Sequence, residues 1–514
     1  MKIQVSTKLR AIGSASVIAL TAGLSTTAAA QDMAPAPVDE VPSPMPPMAP
    51  ADAVECAFDG TPTPSTLVCA PGLDADGFAQ DEDDVDATIQ AGAQVQGEIS
   101  LGDNANVLVD GDIVVTDGGN ALDLGDNATV VNNGFVSANP LLEGIIRTGE
   151  NSDLTNTGII TSTGNPQLGA IGVENGTTVT NEGLIAITGD AGLGVLGGFD
   201  TDGDNVTVVN TVTGQILIDA GAIGFGGGVV IVGENGVVEN AGLIQTFGDN
   251  TIGVLLLEGG TVTNTGNIVT AGATSPGVSV NSDTTVQNDG LIEVSGDGSA
   301  GILGANTITV VNTGTITATG EDGRGVQAGD DLTLTNSGTI TASGDDGRGV
   351  EAFDNLTLVN SGTIQASDRA VDAGDGATIT NEMGGLINTT GDADTIQTGD
   401  DLTVINNGTI SNEGFDTKII DAGDNLTVTN NGTITSDWKG VEGEANFTLT
   451  NNAGALIFST NDEAVEADDA GLVVVNDGEI IAPKDDAVDG GADVTITNTG
   501  LIQGGENDGL ELDS

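Results

Sequence analysis

From about residue 91 the chain is one motif written many times, in its clearest form D-N-L-T-V-x-N-x-G-T-I-T followed by a short G-V-[EDQ]-A-G segment. Its anchor Asn recurs as Asn132, Asn156, Asn181, Asn210, Asn240, Asn264, Asn288, Asn312, Asn336, Asn360, Asn381, Asn406, Asn430, Asn451, Asn476 and Asn498. The mean interval is close to 24 residues, and every interval between Asn240 and Asn360 equals 24. A fixed period of this size means a solenoid, because one repeat can bury its apolar face only against its neighbours. A weaker coil around Asp110-Gly111-Asp112-Ile113 precedes the first anchor.

Inside a repeat the hydrophobic period is two, which means strands. In LTLTNSGTITASG, Leu332 and Leu334 alternate with Thr333 and Thr335, and Ile340 lies between Thr339 and Thr341. A third short strand follows in GVEAF, with Val350 and Ala352 inward and Glu351 outward. Three short strands in every turn describe an all-β, single-stranded parallel β-helix of roughly 17 coils, each of ~24 residues. At ~4.8 Å per coil the rod is about 80 Å long. A few inward Val, Ile or Leu per coil, at ~1.5–3 kcal/mol each, offset the ordering of the strands.

The corner residues have their own chemistry. Asn tolerates left-handed backbone, and a Gly two places on is expected to supply φ > 0. Stacked coils bring successive anchors, such as Asn312, Asn336, Asn360, Asn406, Asn430, Asn476 and Asn498, close enough for an amide ladder. Repetition of Asn is therefore a folding requirement and not a sign of catalysis.

Composition removes several functions. The 514 residues include no His, which closes Ser-His-Asp and Cys-His catalysis and the usual His-containing zinc sites. Ten Lys and Arg against 76 Asp and Glu give a net charge of −66, which repels phosphate backbones and disfavours nucleic acid. Aromatic residues at 2% do not furnish the girdles of a transmembrane β-barrel. Disorder does not follow from the acidity, since 38% of residues are hydrophobic and regularly spaced.

Residues 1–30 read as an export signal: Lys2, Lys8 and Arg10, then a short apolar run, then Ala28-Ala29-Ala30 before Gln31. The signal holds three basic residues and no acid, so its removal leaves −69. Residues 31–55 form a Pro-rich spacer containing PAPVDEVPSPMPPMAP. Residues 56–90 are expected to form a small cap with a Cys56–Cys69 disulfide, followed by an acidic linker at Asp81-Glu82-Asp83-Asp84. Residues 91–514 are the β-helix.

A solenoid turns repeat positions into columns. The outward position of the third strand reads Gln327, Glu351, Asp372, Gln397, Asp421, Glu442, Glu466, Asp489 and Glu511, where earlier coils carry Leu255, Ser279 and Leu303. Two places before the inward residue of that strand lie Arg324, Arg348, Arg369, Lys418 and Lys439. These basics relieve repulsion between carboxylates stacked at ~5 Å, about 3 kcal/mol per pair at an effective dielectric of 20. The alternative is a Ca²⁺ stripe over Glu442, Glu466, Asp489 and Glu511, where the basic residues run out and Asp468-Asp469 and Asp485-Asp486 add charge. No other cofactor is indicated. The loop from Asp200 to Asn205 starts like an EF-hand but has Asn at its sixth position and Thr211 at its twelfth. The insertion around Asp200 reads as a surface loop.

An enzyme needs a constellation that breaks the repeat. Arg324 and Arg348 lie near Glu321-Asp322 and Asp345-Asp346, but they recur with the coils. Ice binding by Thr-x-Thr columns (Thr333/Thr335, Thr427/Thr429, Thr448/Thr450, Thr495/Thr497) is interrupted at Val359 and Ile405.

The export signal and the run of N-x-G-x-I coils, from Asn312-Thr-Gly-Thr-Ile316 to Asn498-Thr-Gly-Leu-Ile502, resemble the passenger region of autotransporters. The resemblance covers about residues 91–514. It implies a right-handed β-helix, export through the periplasm to the outer membrane, cell surface or medium, and an outer-membrane translocator barrel as partner. No such barrel is encoded in this chain, so it is read either as a fragment or as cargo of a separate transporter. Passengers include adhesins, proteases and esterases. The expectation is an adhesin-like or structural stalk that acts by multivalent contact with an unidentified surface glycan or protein, not an enzyme. The alternatives are a polysaccharide lyase or glycosidase, and an ice- or calcium-binding solenoid.

Overall fold

The computed structural model describes residues 55–512, except 61–62, 117, 140–143, 163–168, 190–191, 199–202, 220–225 and 506–508. The export signal and nearly all of the Pro-rich spacer lie outside the described residues, as does the start of the EF-hand-like loop. Among the described residues every regular element is a strand. They form a parallel β-solenoid of about 18 turns with three strands per coil.

One coil shows how the sequence builds it. Thr333–Asn336, Thr339–Ala342 and Arg348–Ala352 are its three strands. They pair in parallel with Thr357–Asn360, Thr363–Ala366 and Val371–Ala373 of the next coil. Leu332, Leu334, Ile340, Ala342, Val350 and Ala352 point inward and are buried. Like residues stack on like: Leu334 on Leu358, Ile340 on Ile364, Val350 on Val371. The β-branched and Leu side chains therefore form continuous apolar columns, and one hydrophobic core runs from Leu67 to Val488.

The Asn column is the second spine. Asn132 donates through Nδ2 to Oδ1 of Asn156 at 2.7 Å, and the relay continues through every anchor to Asn476, which donates to Asn498 at 2.8 Å. Within it, Asn312, Asn336 and Asn360 each lose all solvent exposure. The second Nδ2 hydrogen of Asn312 reaches the Thr339 carbonyl, its Oδ1 accepts from Asn288 Nδ2, and its backbone carbonyl accepts from Ser337 N–H and Gly338 N–H. The ladder thus satisfies a buried amide completely, which is what its burial requires.

Two expectations change. Where Gly stands two places after the anchor Asn, that corner is not left-handed, although the longer corners at Gly384 and Gly454 are. Left-handed backbone sits at the other two corners: on the residue before the inward Leu, as at Asp331 (φ 60°), Asn355 (60°) and Asn425 (64°), and between the second and third strands, as at Asp322 (53°) and Asp346 (55°). Asp and Asn are the side chains that tolerate this conformation. The Gly after the anchor Asn is there for space, since its Cα passes against a carbonyl of the preceding coil.

The second change is at the N-terminus. Ser65–Cys69 pairs in parallel with Val85–Ile89, which pairs with Asn106–Val109, so the ladder already runs through residues assigned to a cap and linker. The Asp81–Asp84 run is a corner: Asp103 N–H donates to Asp83 Oδ1 at 2.9 Å and Gly102 N–H to the Glu82 carbonyl at 2.8 Å. These coils lack the N-x-G anchor, so their repeat is not visible in the sequence. Ala57–Asp59 adds an antiparallel strand to Ser65–Cys69, and the Cys56–Cys69 disulfide closes that hairpin.

Candidate functional site

The outward position of the third strand is one unbroken column, and its chemistry changes along the rod. Asp123 and Arg147 stand near its start, 3.9 Å apart. Leu196, Val230 and Leu255 follow, and with Leu193, Val232 and Ile252 they form a second buried cluster outside the main core. From Gln327 on the column turns acidic, through Glu351, Asp372, Asp421, Glu442 and Glu466 to Asp489 and Glu511.

Beside the acids the basic residues act as a zipper. Each lies three residues before the column position of its own coil, so its side chain can reach that acid and the one stacked above. Arg348 contacts Glu351 at 3.2 Å and Asp372 of the next coil at 3.3 Å. Lys418 contacts Asp421 at 3.1 Å and also bonds Glu442. Lys439 contacts Glu442 at 3.0 Å and bonds Glu466 one coil on. Arg324, whose own coil offers Gln327, bonds Glu351 at 2.7 Å.

Protonation follows this geometry. Burial works to raise the Glu442 carboxyl, but hydrogen bonds from Lys418 and Lys439 outweigh it and hold the group below its ordinary value. Glu466 has only Lys439, and burial with the nearby Glu442 pushes it up to about 7. Glu463 is pushed up to about 8, first by burial and then by its hydrogen bond with Asp462. For Lys439 burial acts downward, and bonds to Glu466 and Glu442 override it and raise the ammonium.

Of the expected calcium stripe, Glu442 and Glu466 come together with Asp468, one oxygen from each lying within 4.8 Å of the others. Asp489 and Glu511 continue the same column and lie outside that group. A second acidic group, Asp462, Glu463 and Asp485, meets at the neighbouring corner to the same 4.8 Å. Sequence reading missed it because it followed the basic register only as far as Lys439. Counting that register onward leads to Glu463 and then Asp486.

Much of the remaining acidity is structural. Asp126 N–H donates to Asp103 Oδ1, Asp400 N–H to Asp375 Oδ1, and Asp424 N–H to Asp400 Oδ1, each at 2.9 Å. The corner carboxylate caps a backbone N–H of the next coil, which explains why Asp precedes the left-handed residue so often. On the first strand one Thr column runs unbroken from Thr309 to Thr448. Its neighbour alternates, Thr335 stacking on Val359 and Thr380 on Ile405, so the paired Thr array is broken. Exposed aromatics were also missed: Phe415 is 68% exposed and stands 4.7 Å, between ring centroids, from the chain's single Trp, Trp438.

Residues 135–338 match the family model of the BigA third pectate lyase-like domain. No curated protein and no solved structure matches the chain. The matched stretch is less than half of the sequence and ends before Arg348, so the lysine-and-acid face beyond it has no counterpart in the comparison. Within the match the basic residues are Arg147 and Arg324, and both hold acids of neighbouring coils. Together, the solenoid and this match fit a β-helical surface protein.

Proposed function

We propose that this chain is the displayed, adhesin-like or structural stalk of an exported protein, carried to the cell surface through a translocator barrel and binding a surface glycan or protein. The observation that carries the reading is the unbroken register of the third-strand face. Along the stretch from Arg324 to Glu466, bases and carboxylates recur at coil spacing, so that part of the face offers several similar weak contacts. Weak contacts on a stiff scaffold add by avidity, because the second is made at high effective concentration. The zipped salt bridges keep the side chains of that face in place and lower the entropy lost on binding.

Catalysis is the competing reading, favoured by the pectate lyase-like match. The experiment is binding of the purified chain, as monomer and as bead-displayed multimer, to glycan and protein arrays, alongside an assay on acidic polysaccharides. Retention that rises steeply with multimer valency supports the stalk. Depolymerisation of a polysaccharide at enzyme-like turnover would overturn it.

A further inference from the structure

Beyond Lys439 the zipper ends in a way that points to a ligand. The register occupied by Lys418 and Lys439, two residues before the inward Ile420 and Val441, holds Glu463 and Asp486 in the next two coils, before Val465 and Val488. The column position three residues on stays acidic, as Glu466 and Asp489. Two adjacent columns are now both carboxylate where every earlier acid of this face stood beside a base or a Gln.

These groups are not simply solvated. Asp486 is 2% exposed and the Glu463 side chain 16%. Among the described residues, Asp486 Oδ1 and Glu463 Oε2 are buried with no hydrogen-bond partner. Native structures rarely leave a buried carboxylate oxygen unsatisfied, since removing it from water costs several kcal/mol. The nearby cations fall short of the charge: Lys484 bonds Asn461, and the single Lys439 ammonium is shared among Glu442, Glu466 and, at 3.5 Å, Glu463 Oε2. The corner residues Asp462 and Asp485 converge on the same place, their oxygens and one of Glu463 lying within 4.8 Å of one another. Asp485 Oδ1 accepts the Asp486 N–H at 3.1 Å, which ties the corner to the buried Asp486. Oxygens bound on opposite sides of Ca²⁺, at ~2.3–2.6 Å each, are separated by about this distance.

We propose that Asp462, Glu463 and Asp485, with the buried Asp486 stacked on Glu463 by register, form a divalent-cation site of the calcium class at the corner between two coils. A hard cation supplies the positive charge that lysine supplies lower in the stack. The donor set is carboxylate oxygen alone, which suits Ca²⁺ better than the small, strictly octahedral Mg²⁺ that keeps its waters. The site differs from the stripe of Glu442 and Glu466, where Lys439 already provides the counter-charge, and it lies outside the stretch matched by the lyase-like family.

The test is calorimetric titration of the whole chain, freed of metal by chelator, with CaCl₂ and separately with MgCl₂. Saturable uptake of Ca²⁺ in the range of extracellular calcium modules, roughly 0.1–1 mM, is expected, with Mg²⁺ binding more weakly. Asp485→Asn and Glu463→Gln, each confirmed folded by circular dichroism, should weaken uptake by about tenfold or more. Glu351→Gln, in the zippered part, should leave it unchanged. No saturable heat up to about 10 mM Ca²⁺ overturns the site, and so does equal uptake by the wild type and both corner variants. Because Asp485→Asn and Glu463→Gln relieve like-charge repulsion, neither should prevent folding. If one does, the other carries the test.

Discussion

Gly338 lies so close over Gly314 that a Cβ built on it would fall nearer than 3.0 Å to the Gly314 carbonyl oxygen. That oxygen is held there because it accepts the Thr339 N–H at 2.9 Å, a bond that carries one coil onto the next. The Gly338 backbone is not left-handed, so space is the whole reason for the glycine. Gly338→Ala should therefore destabilise the rod by about 3 kcal/mol or more, as an overpacked site does. Gly454, with φ 86° and open space around it, makes the control: Gly454→Ala should lose only the cost of left-handed backbone, about 1–2 kcal/mol. Urea melts of the two variants check the order, and equal losses would refute the steric account.

Asn360 takes a hydrogen bond from Asn336 at 2.8 Å and gives one to Asn381 at 2.9 Å, wholly out of solvent. Asn360→Ala leaves a donor on one side and an acceptor on the other without partners, a loss of about 2–4 kcal/mol. Asn360→Asp should be at least as harmful, because it cannot donate onward. Asn498 ends the described ladder and is solvent-exposed, so Asn498→Ala should cost much less. Denaturation midpoints decide it, and a mild Asn360→Ala would mean the ladder is dispensable.

Lys439 serves Glu442, Glu463 and Glu466 at once. Lys439→Met in metal-free buffer should lower stability at neutral pH by about 2 kcal/mol, less than a fully buried pair because the group keeps some solvent. Adding Glu466→Gln should recover part of the loss, which a double-mutant cycle measures. Additive effects would show that the ammonium and Glu466 do not interact.

Asp394 occupies the basic register with no zipper partner in its own coil, where the column position is Gln397. Burial raises its carboxyl above the ordinary value of 3.8, against the Lys418 N–H that bonds it at 2.7 Å. The folded chain thus holds this proton more tightly than the unfolded chain. The stability it contributes is full below the ordinary value and is lost as pH rises through the raised one. Asp394→Asn keeps an oxygen for the Lys418 N–H and removes that loss. It should melt above the wild type at about pH 7 and level with it at about pH 3. A gap that is the same at both values would remove the assignment.

The architecture was legible because a solenoid repeats its physics locally. Alternation at Leu334, Ile340 and Val350 shows which face is core, and the recurrence of Asn312, Asn336 and Asn360 shows which residues stack. The acidic column was legible for the same reason, once residues were counted by register.

What the order of residues could not supply is contact between coils. The partners of Gly338, Asp83 and Lys439 lie about 20–27 positions away, and the exact offset varies with each corner. Thus the sequence alone determined a stack of three-stranded coils and the columns on its faces. Only the tertiary structure decided that the corner glycine is steric, that corner Asp residues cap backbone, and that each lysine bridges two coils. It alone brought the oxygens of Asp462, Glu463 and Asp485 within 4.8 Å of one another, because register puts these residues in adjacent coils but does not decide where their side chains converge.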